Sequence, residues 1–342
     1  MTSSPPRAST LRRLASEGLA VREPYASAEG IDRARRALVE GAEAVPAHGL
    51  PGAGLTALAL GWFQGARRFL QRGLESSETS TAGAPLLILA AQYGLWTSDV
   101  RTLSELAPHL DSHVARVRRE GPTSVLRDLA RAVEPGGDSP ALTALRERGG
   151  QEPSKGSHAV SWRDVAGLLA PAFDSAPDAL TRPTTLAALV EDGTFQPPTL
   201  PLGPLALVRG LLGGEADAGY GRLRLGPRLP RTWTHLAMDG LCMGDTAMAL
   251  DYRAESGHHR FRLRQTRGRV PLNLVFEPEV PWPDSAGAAQ EGRPLPRGLR
   301  LRVRLNDQTT DAETMAAGPR VRVRMQVPLD RETEIVVDGG GE

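Results

Sequence analysis

The stretch Leu207–Tyr252, LVRGLLGGEADAGYGRLRLGPRLPRTWTHLAMDGLCMGDTAMALDY, decides the fold. Its apolar run stops at Gly213-Gly214, a short acidic turn follows, and from Arg222 onward apolar and polar residues alternate. The hydrophobic period therefore switches from that of a helix to that of a strand within about ten residues. So abrupt a change marks a junction between two kinds of packing, and it places a domain boundary near Gly214.

Upstream of the junction, helical patterns alternate with short breakers. Apolar residues recur at helical spacing over Leu11–Leu19, Ile31–Ala44, Gly54–Gly73 (with a break expected near Gly65), Ser98–Arg119 and Ser124–Val133. Ala141–Glu147, Ser161–Leu169, Thr184–Val190 and Leu205–Leu212 continue the series. Pro85–Tyr93, PLLILAAQY, is apolar on every side, which predicts a buried helix opened by Pro85. Glu134–Pro140 and Gly149–Gly156 read as exposed loops, and no strand is expected before residue 221. Paired antiparallel helices around a ring fit this series.

Downstream, Leu299, Leu301, Val303 and Leu305 alternate with arginines, as do Val321, Val323, Met325 and Val327 with Arg322, Arg324 and Gln326. Phe261 and Leu263 alternate with Arg262 and Arg264, and Val270–Glu277 extends the set. Such a period describes antiparallel sheets with one packed and one wet face. Pro281–Pro296 reads as a connector. The fold class expected is α+β as two domains: residues 1–9 as a disordered lead-in, 10–214 as an all-α, (α/α) toroid-like helical domain, and 215–342 as an antiparallel β-sheet or sandwich domain.

Composition narrows the functions. Hydrophobic residues are 40% and charged residues 24% of the 342, a folded globular balance. The 41 basic and 40 acidic residues leave a net charge of +1, so no global field recruits nucleic acid or an anionic membrane. Lys155 is the sole lysine, so arginine is the default cation of any wet face, and no aromatic residues interleave with the strand arginines to stack bases. Cys242 is the sole cysteine, which excludes an intrachain disulfide and a Cys-rich metal site. It reads as a small buried residue of a strand. The first residues lack an apolar core segment and no run is long enough to span a bilayer, which leads to the expectation of a cytoplasmic protein. His109 and His113 share a helix face without the Glu of a zinc-protease motif and read as solvated, while His258-His259 reads as part of a hairpin turn. The sequence contains no P-loop, strand-borne G-x-G-x-x-G or G-x-S-x-G motif, and no cofactor is expected.

The order RGLLG, E-x-D, GRLRL-x-PRLP-x-x-W and a GL-x-x-GD turn resembles the junction between the (α/α)₆ toroid and the C-terminal β-domain of six-hairpin glycosidases, the glycogen-debranching amylo-1,6-glucosidase type in particular. ARRFLQRGL (Ala66–Leu74), STAGAPLLILAAQYG (Ser80–Gly94) with Trp96-Thr97-Ser98-Asp99, and Glu191–Gly210 are similar to further toroid segments. The resemblance implies a toroid, an oligosaccharide or α-glucan ligand, and inverting hydrolysis by two carboxyls roughly 6.5–9.5 Å apart, one of them protonated near neutral pH. Asp164 is the candidate general acid and Glu191 the base that activates water. Trp62, Trp96 and Trp162 are the candidate sugar platforms.

The departures from the family pattern fall where sugar chemistry belongs. Gly83 stands at the position of a substrate-binding aspartate. LPGAGLTALAL over Leu50–Leu60 lacks the Arg, Asp and aromatics of the terminal-glucose motif. Pro201-Leu202-Gly203-Pro204 replaces a glutamine-alanine-tryptophan-serine element. Two functions follow: a debranching-type glycoside hydrolase, or a non-catalytic homologue that binds a carbohydrate or a protein.

Overall fold

The apolar residues of the first half recur at helical spacing, and the computed structural model builds helices on them. It describes residues 7–76, 83–120, 124–136, 139–150, 187, 188, 190, 191, 202–268, 271–281, 300–317 and 320–340. The helices are α1 (Arg7–Glu17), α2 (Tyr25–Gly41), α3 (Leu50–Ala59), α4 (Phe63–Ser76), α5 (Gly83–Thr97), α6 (Val100–Glu120), α7 (Ser124–Val133), α8 (Pro140–Gly150) and the short α9 (Gly203–Leu205). A π-helical stretch, Ala206–Leu211, continues α9.

All ten residues of α3 are buried, as a helix apolar at every position but Thr56 requires. Leu86–Ala91 of α5 are buried beside it. The break expected near Gly65 falls instead between Leu60 and Trp62, where Gly61 is left-handed and the Trp62 amide donates to the Ala57 carbonyl. Gly65 lies within α4, under the Trp62 ring. The expected helix over Ser161–Leu169 and most of Thr184–Val190 lie outside the described residues, as does the rest of the connector after Pro281. α1 begins at Arg7, within the stretch expected as lead-in. A 3₁₀ turn, Glu134–Gly136, takes part of the first expected loop, and α8 runs on to Gly150.

Thirteen described strands make two sheets. The first has the order β1 (Ala20–Glu23), β4 (His235–Met243), β5 (Thr246–Glu255), β6 (His258–Arg267), β13 (Glu332–Gly340), β9 (Arg300–Leu305), β10 (Gln308–Thr309). The second runs β11 (Glu313–Ala317), β12 (Arg320–Leu329), β7 (Leu272–Phe276), β3 (Arg222–Leu225), β2 (Glu215–Asp217), with β8 (Glu279–Pro281) also on β12. All pairings are antiparallel except β3 with β7, which run parallel. Phe261 of β6 meets Phe276 of β7 edge to face at 5.2 Å, so the apolar faces of the two sheets form one sandwich core.

The expectation of no strand before residue 221 is corrected twice. β2 forms directly after Gly214, and β1 is donated by the helical half to the edge of the first sheet. AVRE is too short for alternation to reveal, and tertiary contacts make it a strand. Arg35 of α2 donates to the Leu19 carbonyl at 2.6 Å, and Arg22 pairs with Asp239 of β4 at 2.9 Å. Gly240 (φ 70°) sits at a register shift of β4, where a Cβ would lie 2.1 Å from the Gly18 carbonyl oxygen. Only glycine fits this bulge. Through such contacts one apolar cluster runs without a break from Leu14 and Leu60 to Leu236 and Ile335.

The two wet sheet faces differ. On the first sheet, arginines and carboxylates pair across strands in the open: Arg262 with Glu332 at 2.5 Å, Arg260 with Glu334 at 3.4 Å, Arg264 with Asp251 at 3.5 Å. This is the solvated face that a lysine-poor chain is expected to build. The second sheet turns its wet face toward α5 and α7.

Candidate functional site

Alternation places the side chains of the site. On β3, Leu223 and Leu225 go into the sandwich, so Arg222 and Arg224 emerge on the other face. On β12, Val321 and Val323 likewise leave Arg322 and Arg324 outside. The helices stand over this face and enclose a cleft of ≈ 300 Å³, lined from the helical side by Gln92, Leu95, Asp128, Arg131 and Arg209 and floored partly by Val275 and Met315. A second cavity of ≈ 160 Å³ adjoins it, sharing Arg209, Arg224, Arg322 and Glu277.

The junction itself is hydrogen-bonded. Gly226 and Arg228 amides donate to the Leu212 and Leu211 carbonyls, which satisfies the end of the helix. Gly213 (φ 56°) provides the left-handed turn. The π-helical winding holds Arg209 inward, where its Nη1 donates to the Gly214 carbonyl at 2.5 Å. Burial lowers the pKa of this guanidinium, against the opposing pull of Glu215 and Asp128.

Three buried carboxylates line the cleft, Asp128, which meets Arg131 at 3.8 Å, and the more closely paired Asp217 and Glu277. Asp217, 4% exposed, accepts on Oδ2 from Arg222 at 2.7 Å and from Arg131 of α7 at 2.9 Å. Glu277, 6% exposed, accepts on Oε2 from Arg224 Nη2 at 2.6 Å and Nε at 3.1 Å, and its Oε1 meets Arg324 Nε at 3.1 Å. Burial lowers the Arg224 pKa, but the hydrogen bond and charge of Glu277, helped by Glu215, outweigh it and the net shift is upward. Asp217 and Glu277 thus each clamp two arginines whose side chains remain 38–51% exposed. The lining holds six arginines and four carboxylates, and Glu279 on Arg322 and Glu313 on Arg324 bring the charges into balance.

Of the residues expected to act on sugar, the described ones, Glu191, Trp62 and Trp96, do not line this cleft. Asp164 and Trp162 lie outside the described residues. The Glu191 carboxylate accepts from Trp233 Nε1 at 3.2 Å, and its main-chain carbonyl from Arg33 at 2.6 Å, away from the cleft lining. Trp62 is buried edge-on to Phe69 at 6.0 Å, beside a groove of ≈ 160 Å³ with Arg68 and Arg72. Trp96 is buried, and its carbonyl accepts from the Gly244 amide. Neither ring lines the cleft.

Other polar residues support the fold. Asp99 caps α6, accepting from Thr102 at 2.6 Å and from Tyr93 at 2.6 Å. Burial raises the Asp99 pKa, but these hydrogen bonds overcome that and the net shift is downward. His113 is buried rather than solvated. His259 lies in β6, not in the turn, buried against Tyr252 with Nδ1 and the hydroxyl 3.0 Å apart. Cys242 is buried in β4. Among the described residues no group of three or more His, Cys, Asp or Glu is placed to hold a metal ion. No described helix is long and apolar enough to cross a membrane.

Asp217 and Glu277 were not singled out from sequence. Their signals were the acidic turn after Gly214 and the carboxylate ending an apolar strand. Alternation shows which face an arginine takes but not what stands opposite.

The fold and cleft define the class: a helical body joined to a β-sandwich, with a charged cleft at the seam. No family model matches this chain, and no curated protein matches it. Among solved structures, it is similar to an alpha-L-rhamnosidase from Dictyoglumus thermophilum (10% identity, TM-score 0.45), over 84% of this chain and 46% of that one. It is also similar to the Streptomyces avermitilis alpha-L-rhamnosidase complexed with L-rhamnose (15% identity, TM-score 0.31), over 84% of this chain and 32% of that one. The chain thus spans less than half the length of either. Likeness of this degree transfers neither activity nor substrate.

Proposed function

We propose that this chain is a glycosidase-scaffold relative that holds a small saccharide in the seam cleft without hydrolysing it. The carrying observation is the engagement of Asp217 and Glu277 by paired arginines. A general acid or base must reach the reacting oxygen, and these two carboxylates are already taken up by guanidinium pairs. The resemblance of the junction to the six-hairpin glycosidases supports the scaffold. Gly83 and Pro201-Leu202-Gly203-Pro204, standing where that family has polar or aromatic groups, support the loss of chemistry. The test combines calorimetric binding with hydrolysis assays on panose, maltooligosaccharides and an aryl alpha-L-rhamnoside. Saccharide binding with hydrolysis at the blank rate is expected. Turnover abolished by Asp164→Asn would contradict the reading.

A second reading rests on the Trp233 indole that orients Glu191. Here Glu191 is the base, Asp164 the acid and Trp162 a platform, acting on an α-glucan in the cytoplasm. It requires Glu191→Gln and Asp164→Asn each to remove measurable turnover while leaving binding intact.

A further inference from the structure

The charges of the seam cleft are matched. Arg131 meets Asp128 as well as Asp217, and Arg222 also pairs with Asp217. Arg224 meets Glu215 as well as Glu277, Arg324 meets Glu313 as well as Glu277, and Arg322 meets Glu279. With Arg209, six arginines stand against six carboxylates. Such a wall exerts little net pull on an anion or a cation, so the ligand it suits is neutral and rich in hydrogen-bonding groups. Guanidiniums that stay partly exposed still offer such a ligand donors, and the carboxylates offer further lone pairs.

One polar side chain of the wall has no match. Gln92 of α5 is 4% exposed and lines the cleft together with Leu95, Asp128 and Arg209. It directly follows the buried apolar run Leu86–Ala91. The other polar side chains of α5 have partners: the Tyr93 hydroxyl donates to Asp99 at 2.6 Å, and the Thr97 hydroxyl to the Tyr93 carbonyl at 2.6 Å. No described residue hydrogen-bonds the Gln92 carboxamide, and its polar atoms are not sealed in the core. A carboxamide withdrawn from bulk water without a partner is costly, so this one is placed for a ligand or a bound water. Behind it lies an apolar space of ≈ 10 Å³ lined by Leu55, Leu58 and Trp96, too small for a sugar, so a sugar partner comes from the cleft side. One acceptor oxygen and two donor hydrogens form a set that two neighbouring hydroxyls satisfy in both directions.

We infer that Gln92 is the residue by which the seam cleft recognises a neutral sugar, its carboxamide hydrogen-bonding two hydroxyls of one pyranose ring. This deepens the saccharide-binding reading and rests on it. The test is isothermal titration of the full chain, and of its Gln92→Leu and Gln92→Met variants, with glucose, L-rhamnose, panose, maltotriose and glucuronate. In the unaltered chain at least one neutral sugar should bind, and glucuronate should bind no more tightly than glucose. Both variants keep the bulk of the side chain and lose its polar atoms. Each should weaken the tightest neutral sugar about tenfold or more, because the hydroxyls lose their partner. The melting temperature without ligand should stay level or rise, because an unpaired polar group has gone. A glutamine that served packing alone would instead lower the melting temperature in both variants. Sugar affinity unchanged in a variant that folds, or a melting temperature lowered in both, would overturn the inference and leave saccharide binding standing. Glucuronate binding more tightly than glucose would do the same. No binding by any of the sugars would overturn the saccharide reading and the inference with it.

Discussion

Asp217 and Glu277 are buried, and each has two arginine partners that reach solvent. Removing Glu277 leaves its two guanidiniums only their longer contacts, Arg224 with Glu215 at 3.4 Å and Arg324 with Glu313 at 3.7 Å. Breaking a fully buried pair costs about 3–5 kcal/mol, and solvent screening at half-exposed arginines reduces this to about 1–3 kcal/mol. Glu277→Gln should lower unfolding free energy by that amount in urea titration. Glu332→Gln, which removes an exposed partner of Arg262, should cost markedly less. Equal costs would mean that the cleft pairs are ordinary surface pairs. From sequence the two sets looked alike, both being arginines on the polar phase of a strand. Only the helices standing over β3, β7 and β12 make them different.

The β5–β6 hairpin carries the clearest pH response. His259 is pushed down to about 4 from the ordinary 6.5, first by burial and then by Arg320 and His258. Because its folded pKa is the lower one, the unfolded chain takes up the proton first. The stabilisation is complete above about pH 6.5, is lost as pH falls through the interval, and loses nothing more below about 4. The interval corresponds to about 3 kcal/mol. Melting temperature should therefore fall between these limits, and His259→Gln should flatten that limb; an unchanged slope would contradict the assignment. The sequence reads His258-His259 as part of a hairpin turn, whereas both lie at the start of β6. The apolar phase containing Phe261 already pointed inward, and His259 shares it. β1 gave no comparable signal, since four residues acquire strand geometry only from the edge of β4.

The change of period near Gly214 was legible because helix and strand bury residues at different spacings. The cleft was not, because it belongs to neither half. Its walls come from α5, α7 and the π-helical turn on one side and from the second sheet on the other. The shared core that runs between the halves keeps those walls in place. The most direct measurement is an experimental structure of the whole chain with the saccharide that binds most tightly in calorimetry. The account predicts one saccharide in the seam cleft, with the Arg131–Asp217 and Arg224–Glu277 pairs intact. A ligand seated at Trp62, at Trp96 or beside Glu191, with the cleft unchanged, would contradict it.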